Sequence, residues 1–391
     1  MNSIFVECFG TIEDPRVDRT KKHLLLDIIA LGLCAVIAGA EGWEEIEDFG
    51  QAHYAWFDGF LGLPNGIPSH DTIARVFSAL NPDEFQATCM NWFEQVRSLE
   101  PETVIAVDGK TLRGSSRKRK GLKGLHIVNA WSCANGISLG QLKVADKSNE
   151  ITAVPKLLKQ LAIKGAIVTL DAMGCQEEII SDICDGGADY VVALKGNQGE
   201  LHEAVKDSFT LADKGAMALT VSHATDEINA DHGRVDQRTI EVIDACALNG
   251  FIDSRWCKLS SLIRVTLHRE EANTIQSEQR YYISSLTSEA PLTILRAIRQ
   301  HWQIENCLHW SLDVSFNEDG CRVRDENAAL NLSWMRKFAL GLLKKTNRLR
   351  QVLDANNAKP LHAQTTSHAS LLKFRCVYPE NEPTITKSDG K

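Results

Sequence analysis

No CxxC pair occurs in the 391 residues, and the eleven cysteines are scattered and odd in number. This argues against a zinc ribbon or a disulfide framework and leads us to expect reduced thiols in a cytoplasmic protein. Long apolar runs are also missing. The most apolar stretch, IIALGLCAVIAGA at 28–40, is too short to span a bilayer and follows Asp27 directly, so it reads as a buried core helix with no membrane role. MNSIFVECFG lacks the basic and apolar regions of a secretory leader. Positive charge is not in excess: the net charge is −8, which taken alone argues against a nucleic-acid binder. HWQIE at 301–305 is not HExxH, and no third soft ligand follows at a suitable spacing, which argues against catalytic zinc. Internal repeats and low-complexity tracts are absent.

What is present divides the chain by pattern. Residues 1–100 read as helices throughout, with LGLPNGIPSHD as a punctuated loop and Asn81-Pro82 as a helix start. The helical pair between Ser69 and Val96 is either an ordinary hairpin or a DNA-reading unit presenting His70, Thr72 and Arg75. From 103 the pattern turns to strands. TVIAVDG is short, β-branched and ended by glycine, while LHIVNAWSC and ISLGQLKV flank Asn135-Gly136, a strong hairpin signal. AIVTLDA and ADYVVALK are further strands, separated by helical segments. That order predicts an α/β domain over 101–350, a mixed sheet flanked by helices. Four strands without helices between them predict a β-rich insertion at about 216–287. Helices then resume, and residues 351–391 are polar, with the composition of a disordered tail.

Arg299 to Asp319 reads as one long amphipathic helix placing His301, Glu305 and His309 on one face. Asp108 and Asp171 each close an apolar strand. Either alone is equally an ordinary turn residue. With Glu305 they form a set of hard oxygen ligands suited to two Mg²⁺ or Mn²⁺ ions and in-line attack on phosphate. Lys110, Arg113, Arg117, Lys118, Arg119 and Lys120 follow Asp108 with no acid among them. They are either a solvated tip or contacts to a phosphate backbone. A second basic cluster begins at Arg336 and Lys337. Lys195, Asn197 and Gln198 end the fifth strand on the Asp171 edge and are candidate contacts to the scissile strand. His301 and His309 are expected to orient Glu305 or touch phosphate, or to be partly buried helix histidines. Trp302 and Trp310 are expected to pack on the sheet, with base stacking as the alternative.

In order, DPRVDR, LPNGIPSHDT, IAVDGKTLRGS, KSNEITAVPKLL, VTLDAMGCQ, DYVVALKGNQ, HGRVDQR, YYISSL and HWQIENCLHWSLDVSFNEDGCRVR cover about residues 14–345. On these stretches the chain resembles the H-repeat-associated transposases of bacterial insertion sequences, a branch of the DDE transposases. The resemblance implies a ribonuclease-H-like core with an all-α N-terminal domain, and places the three metal-binding carboxylates on Asp108, Asp171 and Glu305. It implies Mg²⁺- or Mn²⁺-dependent cleavage at the element's terminal inverted repeats and strand transfer into target DNA, by a homodimer on DNA associated with the nucleoid. One departure stands out: where related enzymes carry Tyr-x2-Arg-x3-Glu-x6-Lys, this chain has Ile298, His301, Glu305 and Leu312. The alternatives are an inactive, transposase-derived DNA-binding protein and a nuclease without strand transfer.

Overall fold

The computed structural model describes residues 3–96, 103–116, 123–145, 149–215, 219–231, 234–248, 255–271 and 274–345. In chain order the helices are α1 Ser3–Phe9, α2 Leu25–Ile37, α3 Trp43–Ala52, α4 Tyr54–Asp58, α5 His70–Ala79, α6 Pro82–Val96, α7 Glu150–Leu158, α8 Glu177–Asp185, α9 Gly199–Asp213, α10 Pro291–Gln303, α11 Trp310–Val314 and α12 Glu326–Lys345. The strands are β1 Val104–Leu112, β2 Leu125–Ser132, β3 Ile137–Lys143, β4 Ile167–Leu170, β5 Asp189–Leu194, β6 Val221–Thr225, β7 Asn229–Asp231, β8 Arg234–Asp244, β9 Ser261–Glu271 and β10 Thr274–Ser284. They fall into two compact units, one from Met1–Arg97 with Asn327–Lys391, the other Ser98–Glu326.

The first unit is helical. Helix α2 is apolar on all sides, and every residue from Asp27 to Ile37 is buried, as expected of a central core helix. Burial of the Asp27 carboxylate is compensated by the backbone N–H groups of Gly62 and Leu63, at 3.3 and 2.9 Å. The expected boundary at 350 is not where the contacts divide. Helix α12 belongs with the N-terminal helices. The Phe338 ring lies 6.1 Å from Phe9, 5.1 Å from Trp92 and 4.7 Å from Phe93. The Asn331 amide donates to the carbonyls of Phe77 and Leu80. Arg336 and Lys337, expected in a basic cluster, are buried, donating to the Glu41 carbonyl and the Ser333 hydroxyl. In the α5–α6 pair, His70 is tied to Glu47 at 2.6 Å and Arg75 to the Asp71 carbonyl and Thr72 hydroxyl.

The second unit is built on one mixed sheet, ordered β3-β2-β1-β4-β5-β10-β9-β8-β6, with β7 paired to β8. β1 runs antiparallel to β2 and parallel to β4, and β4 is parallel to β5. The strands expected as an insertion extend this sheet, because β10 pairs antiparallel with β5 and continues its edge. Alternation along each strand separates two faces. Ile105, Val107, Val168 and Leu170 enter the core with α7, α8 and α9. Val104, Val191, Ile240, Val242, Ile263 and Val265 pack against Ile294, Leu295, Ala297 and Ile298 of α10.

The expected single helix over 299–319 is broken into pieces. α10 ends at Gln303, a π-helical turn spans Ile304–His309, and α11 follows. A π turn closes i→i+5 and so inserts a residue into the face, a distortion that concentrates at functional sites. His301 and the Glu305–His309 pair therefore reach different strands. The turn Arg113–Ser115 after β1 lies against Glu318–Gly320. A Cβ on Gly114 would come within 1.8 Å of the Cys321 carbonyl oxygen. Only backbone movement could relieve that clash. Gly114→Ala is expected to lower unfolding free energy by about 1–3 kcal/mol, measured by urea titration; an unchanged midpoint would mean that the two turns part freely.

Candidate active site

Neighbouring parallel strands β1 and β4 are paired through Val107 and Leu170. The next residue of each is an aspartate: Asp171 directly follows the end of β4, whereas Asp108, expected to close its strand, lies in the middle of β1, which runs on to Leu112 against β2. Since Ile105 and Val107 point to the opposite core, Asp108 faces α10 and the π turn. Thr169 has the same parity on β4, and its hydroxyl meets His301 Nδ1 at 3.0 Å.

The π turn brings Glu305 and His309 onto Asp108. His309 Nδ1 lies 3.5 Å from Asp108 Oδ2 and 3.7 Å from Glu305 Oε2. One ligand atom from each of the three lies within 4.8 Å of the others. Asp171 lies outside that tight group. Its carboxylate accepts the backbone N–H groups of Met173 and Gly174, at 2.9 and 3.2 Å, while its charge still acts on Asp108. Burial, then the charge of Glu305, pushes the Asp108 carboxyl up to about 8. Hydrogen bonding to His309 holds Glu305 below its ordinary value. Burial and mutual repulsion thus act chiefly against ionisation of Asp108, while His309 favours the Glu305 carboxylate. Two carboxylates this close repel each other unless a proton or a cation lies between them, and the imidazole adds a nitrogen donor. Asp108, Glu305 and His309 fit a divalent cation, with Asp171 adjacent.

The other expected contacts are placed differently. Lys110, on the same face as Asp108, is buried and does not reach outward. Its ammonium meets Asp313 at 2.5 Å, Glu318 at 3.4 Å and Asp319 at 3.7 Å. Burial works against its charge, but the three carboxylates outweigh that and raise its pKa. Arg113 is exposed and pairs with Asp319 at 3.4 Å. Arg117, Lys118, Arg119 and Lys120 lie outside the described residues. Lys195 is exposed. Asn197 and Gln198 brace the Asp171 loop, donating to the Ala172 and Cys175 carbonyls at 2.6 and 2.8 Å. His301 is partly buried on Thr169, and burial lowers its pKa. His309 is buried inside the carboxylate group and is not presented to a ligand's backbone. Trp302 and Trp310, expected against the sheet, are exposed.

Sequence reading missed a row of arginines. Arg238, Arg269, Arg280 and Arg299 line a cleft of about 600 Å³ that also takes in Trp302 and runs to Asn306 and Cys307 of the π turn. Asp236 is paired with Arg269 at 2.8 and 2.9 Å. The Arg280 guanidinium stands over the Trp302 ring at 5.5 Å. Burial, together with repulsion from Arg269 and Arg280, lowers the Arg238 pKa despite Asp236. The signal was there in alternation: Arg238 shares parity with Ile240 and Val242, and Arg269 with Ile263 and Val265, residues that pack under α10.

Comparison with known proteins agrees with this architecture. Residues 99–342 match the transposase DDE domain, and residues 6–93 match the DDE_Tnp_1-associated family. An Escherichia coli K12 protein named "H repeat-associated putative transposase YhhI" is 42% identical over 344 residues, 86% of this chain and 89% of its own. "Putative transposase YncI" of Escherichia coli O157:H7 is 42% identical over 342 residues, 87% of each chain. Among solved structures, a piggyBac transposase synaptic complex with hairpin DNA covers 97% of this chain and 82% of that one, at 11% identity and a TM-score of 0.42, a likeness too loose to inform the site.

A folded carboxyl near 8 and an ordinary one at 3.8 set a sign. Between those values the folded state keeps a proton that the unfolded state has lost, so this group's contribution to stability falls as pH rises. Asp108→Asn removes the ionisation. Without divalent metal, its melting temperature should exceed that of the unaltered protein by more at pH 8.5 than at pH 5. The same difference at both pH values would refute the displaced carboxyl.

Proposed function

The chain belongs to the transposase DDE domain family, and on that premise we propose that it is a DNA transposase that cleaves at the ends of an insertion sequence and transfers the strand into target DNA. The observation that carries the reading is the meeting of Glu305 with Asp108, in the middle of a strand whose parallel neighbour is followed directly by Asp171.

In this reading Asp108, Asp171 and Glu305 hold Mg²⁺ or Mn²⁺, two ions being the expected number. Bound there, divalent metal would polarise the phosphodiester, activate water or a 3′-hydroxyl and stabilise the leaving oxygen. The chain's own residues prepare the site. His309 keeps Glu305 ionised, the Met173 and Gly174 amides fix Asp171, and Lys110 seats the segment that follows the Glu305 helix. The arginine cleft beside the π turn takes the phosphate backbone, with exposed Trp302 at its rim. Transposition must bring two ends together, so the working form is a homodimer on DNA, acting at the nucleoid. Among the described residues no helix is long and apolar enough to cross a membrane.

The test is Mg²⁺-dependent nicking and joining of a duplex carrying the element's terminal inverted repeats. Asp108→Ala and Glu305→Gln should each lose at least on the order of 100-fold in cleavage while still binding the repeat. Equal cleavage by either variant would remove that residue from the chemistry. Binding with no cleavage by the unaltered protein would favour the DNA-binding alternative, and cleavage with no joined product a nuclease.

For the cleft, Arg269→Ala and Arg280→Ala should each weaken repeat and unrelated duplex alike. The slope of log affinity against log salt should flatten by about 0.9 per contact removed. An unchanged slope in both would place the backbone elsewhere.

A further inference from the structure

Strand β2 pairs Asn129 directly with Asp108. The flanking Val128 and Ala130 enter the core under α7–α9. Asn129 therefore points the other way, to the side of Asp108, where β2 meets the π turn. It is 1% exposed. Neither its amide nitrogen nor its amide oxygen has a hydrogen-bond partner among the described residues. Across the site, His309 Nε2 is also buried without a partner, while Nδ1 of the same ring faces Asp108 and Glu305.

Burying an amide unpaired is unfavourable, and leucine has the same branching and number of side-chain heavy atoms with no polar atom to satisfy. A buried amide without a protein partner, on the strand position paired with a carboxylate that fits a cation, points to a role at that carboxylate. We propose that Asn129 is a positioning residue for the metal-loaded site. With a divalent cation bound by Asp108 and Glu305, the Asn129 amide donates to the Asp108 carboxylate and fixes which of its oxygens faces the ion. Hydrogen bonds of this kind to ligand side chains tune metal affinity without touching the metal. The inference rests on the metal reading of the site proposed above and adds to it a residue on a third strand.

The experiment is calorimetric titration of the full chain with Mn²⁺, free of DNA, beside thermal melts in chelator. Asp108→Ala reports the parent reading first: if the unaltered protein binds no Mn²⁺, or binds it equally well without Asp108, that reading fails and this inference with it. Given Asp108-dependent binding, Asn129→Leu should melt at or above the unaltered protein in chelator, yet bind Mn²⁺ about 10–100-fold more weakly. Undiminished Mn²⁺ affinity in Asn129→Leu would overturn the proposal alone, and so would a lower melting temperature with affinity intact, the mark of a purely structural amide. If the leucine variant does not fold, Asn129→Thr and Asn129→Val make the comparison, being alike in shape and differing by one hydroxyl. Tighter Mn²⁺ binding by the threonine variant supports a donor at this position; equal binding overturns it.

Discussion

The buried ammonium of Lys110 is the constraint on which the site depends. It extends from β1 on the face that carries Asp108, and it gathers Asp313, Glu318 and Asp319 from the segment after the π turn. Without that cation, three carboxylates would crowd a half-buried space, and their mutual repulsion would push the segment off the sheet. With it, the polypeptide on the far side of Glu305 is pinned to the strand that supplies Asp108. α10 holds the near side through Ile294, Leu295 and Ile298. Glu305 is thus held between two anchors and pressed toward another negative charge. The repulsion raises the Asp108 carboxyl's affinity for a proton, and the His309 ring stands beside both carboxylates.

The same few residues show which parts of the fold could be read from sequence. The strands themselves were legible because hydrophobic runs closed by Asp give a local signal; β4 stops at that signal, before Asp171, whereas β1 continues through Asp108 to Leu112 because pairing with β2 extends it. The hairpin at Asn135-Gly136 was legible for the same reason: Gly136 takes φ +64°, which its residue type favours. Helix α12 read as part of the sheet domain because it follows the Glu305 segment in sequence. Its aromatic contacts with Phe9, Trp92 and Phe93 span more than 240 residues, and no local pattern encodes them. The π turn was equally hidden: one inserted residue leaves composition and approximate periodicity unchanged, yet it sends His301 to β4 and His309 to β1.

Charge was the least legible property. An uninterrupted basic run after Asp108 invites a reading as an anion contact, and its first member is instead an internal counter-ion. Arginines spread over β8, β9, β10 and α10 make no run at all, but sheet pairing and helix packing collect them into one cleft. A net charge of −8 is compatible with that, because attraction of a polyanion depends on the field at a particular face and is screened within about 10 Å at 0.1 M salt.

The return of α12 to the N-terminal helices has a consequence for biosynthesis. The sheet unit, Ser98–Glu326, is contiguous and can close on itself as soon as it leaves the ribosome. The helices encoded first cannot do so, since Trp334, Met335 and Phe338 fill the centre of their core. At translation rates of about 5–20 residues per second, roughly 230 further residues take about 10–50 s to appear. Through that interval the nascent chain carries α2, apolar around its whole circumference, with its eventual neighbour not yet made. Helices α1–α6 therefore reach their native packing only after α12 has been made, later than the sheet unit that lies between them in sequence.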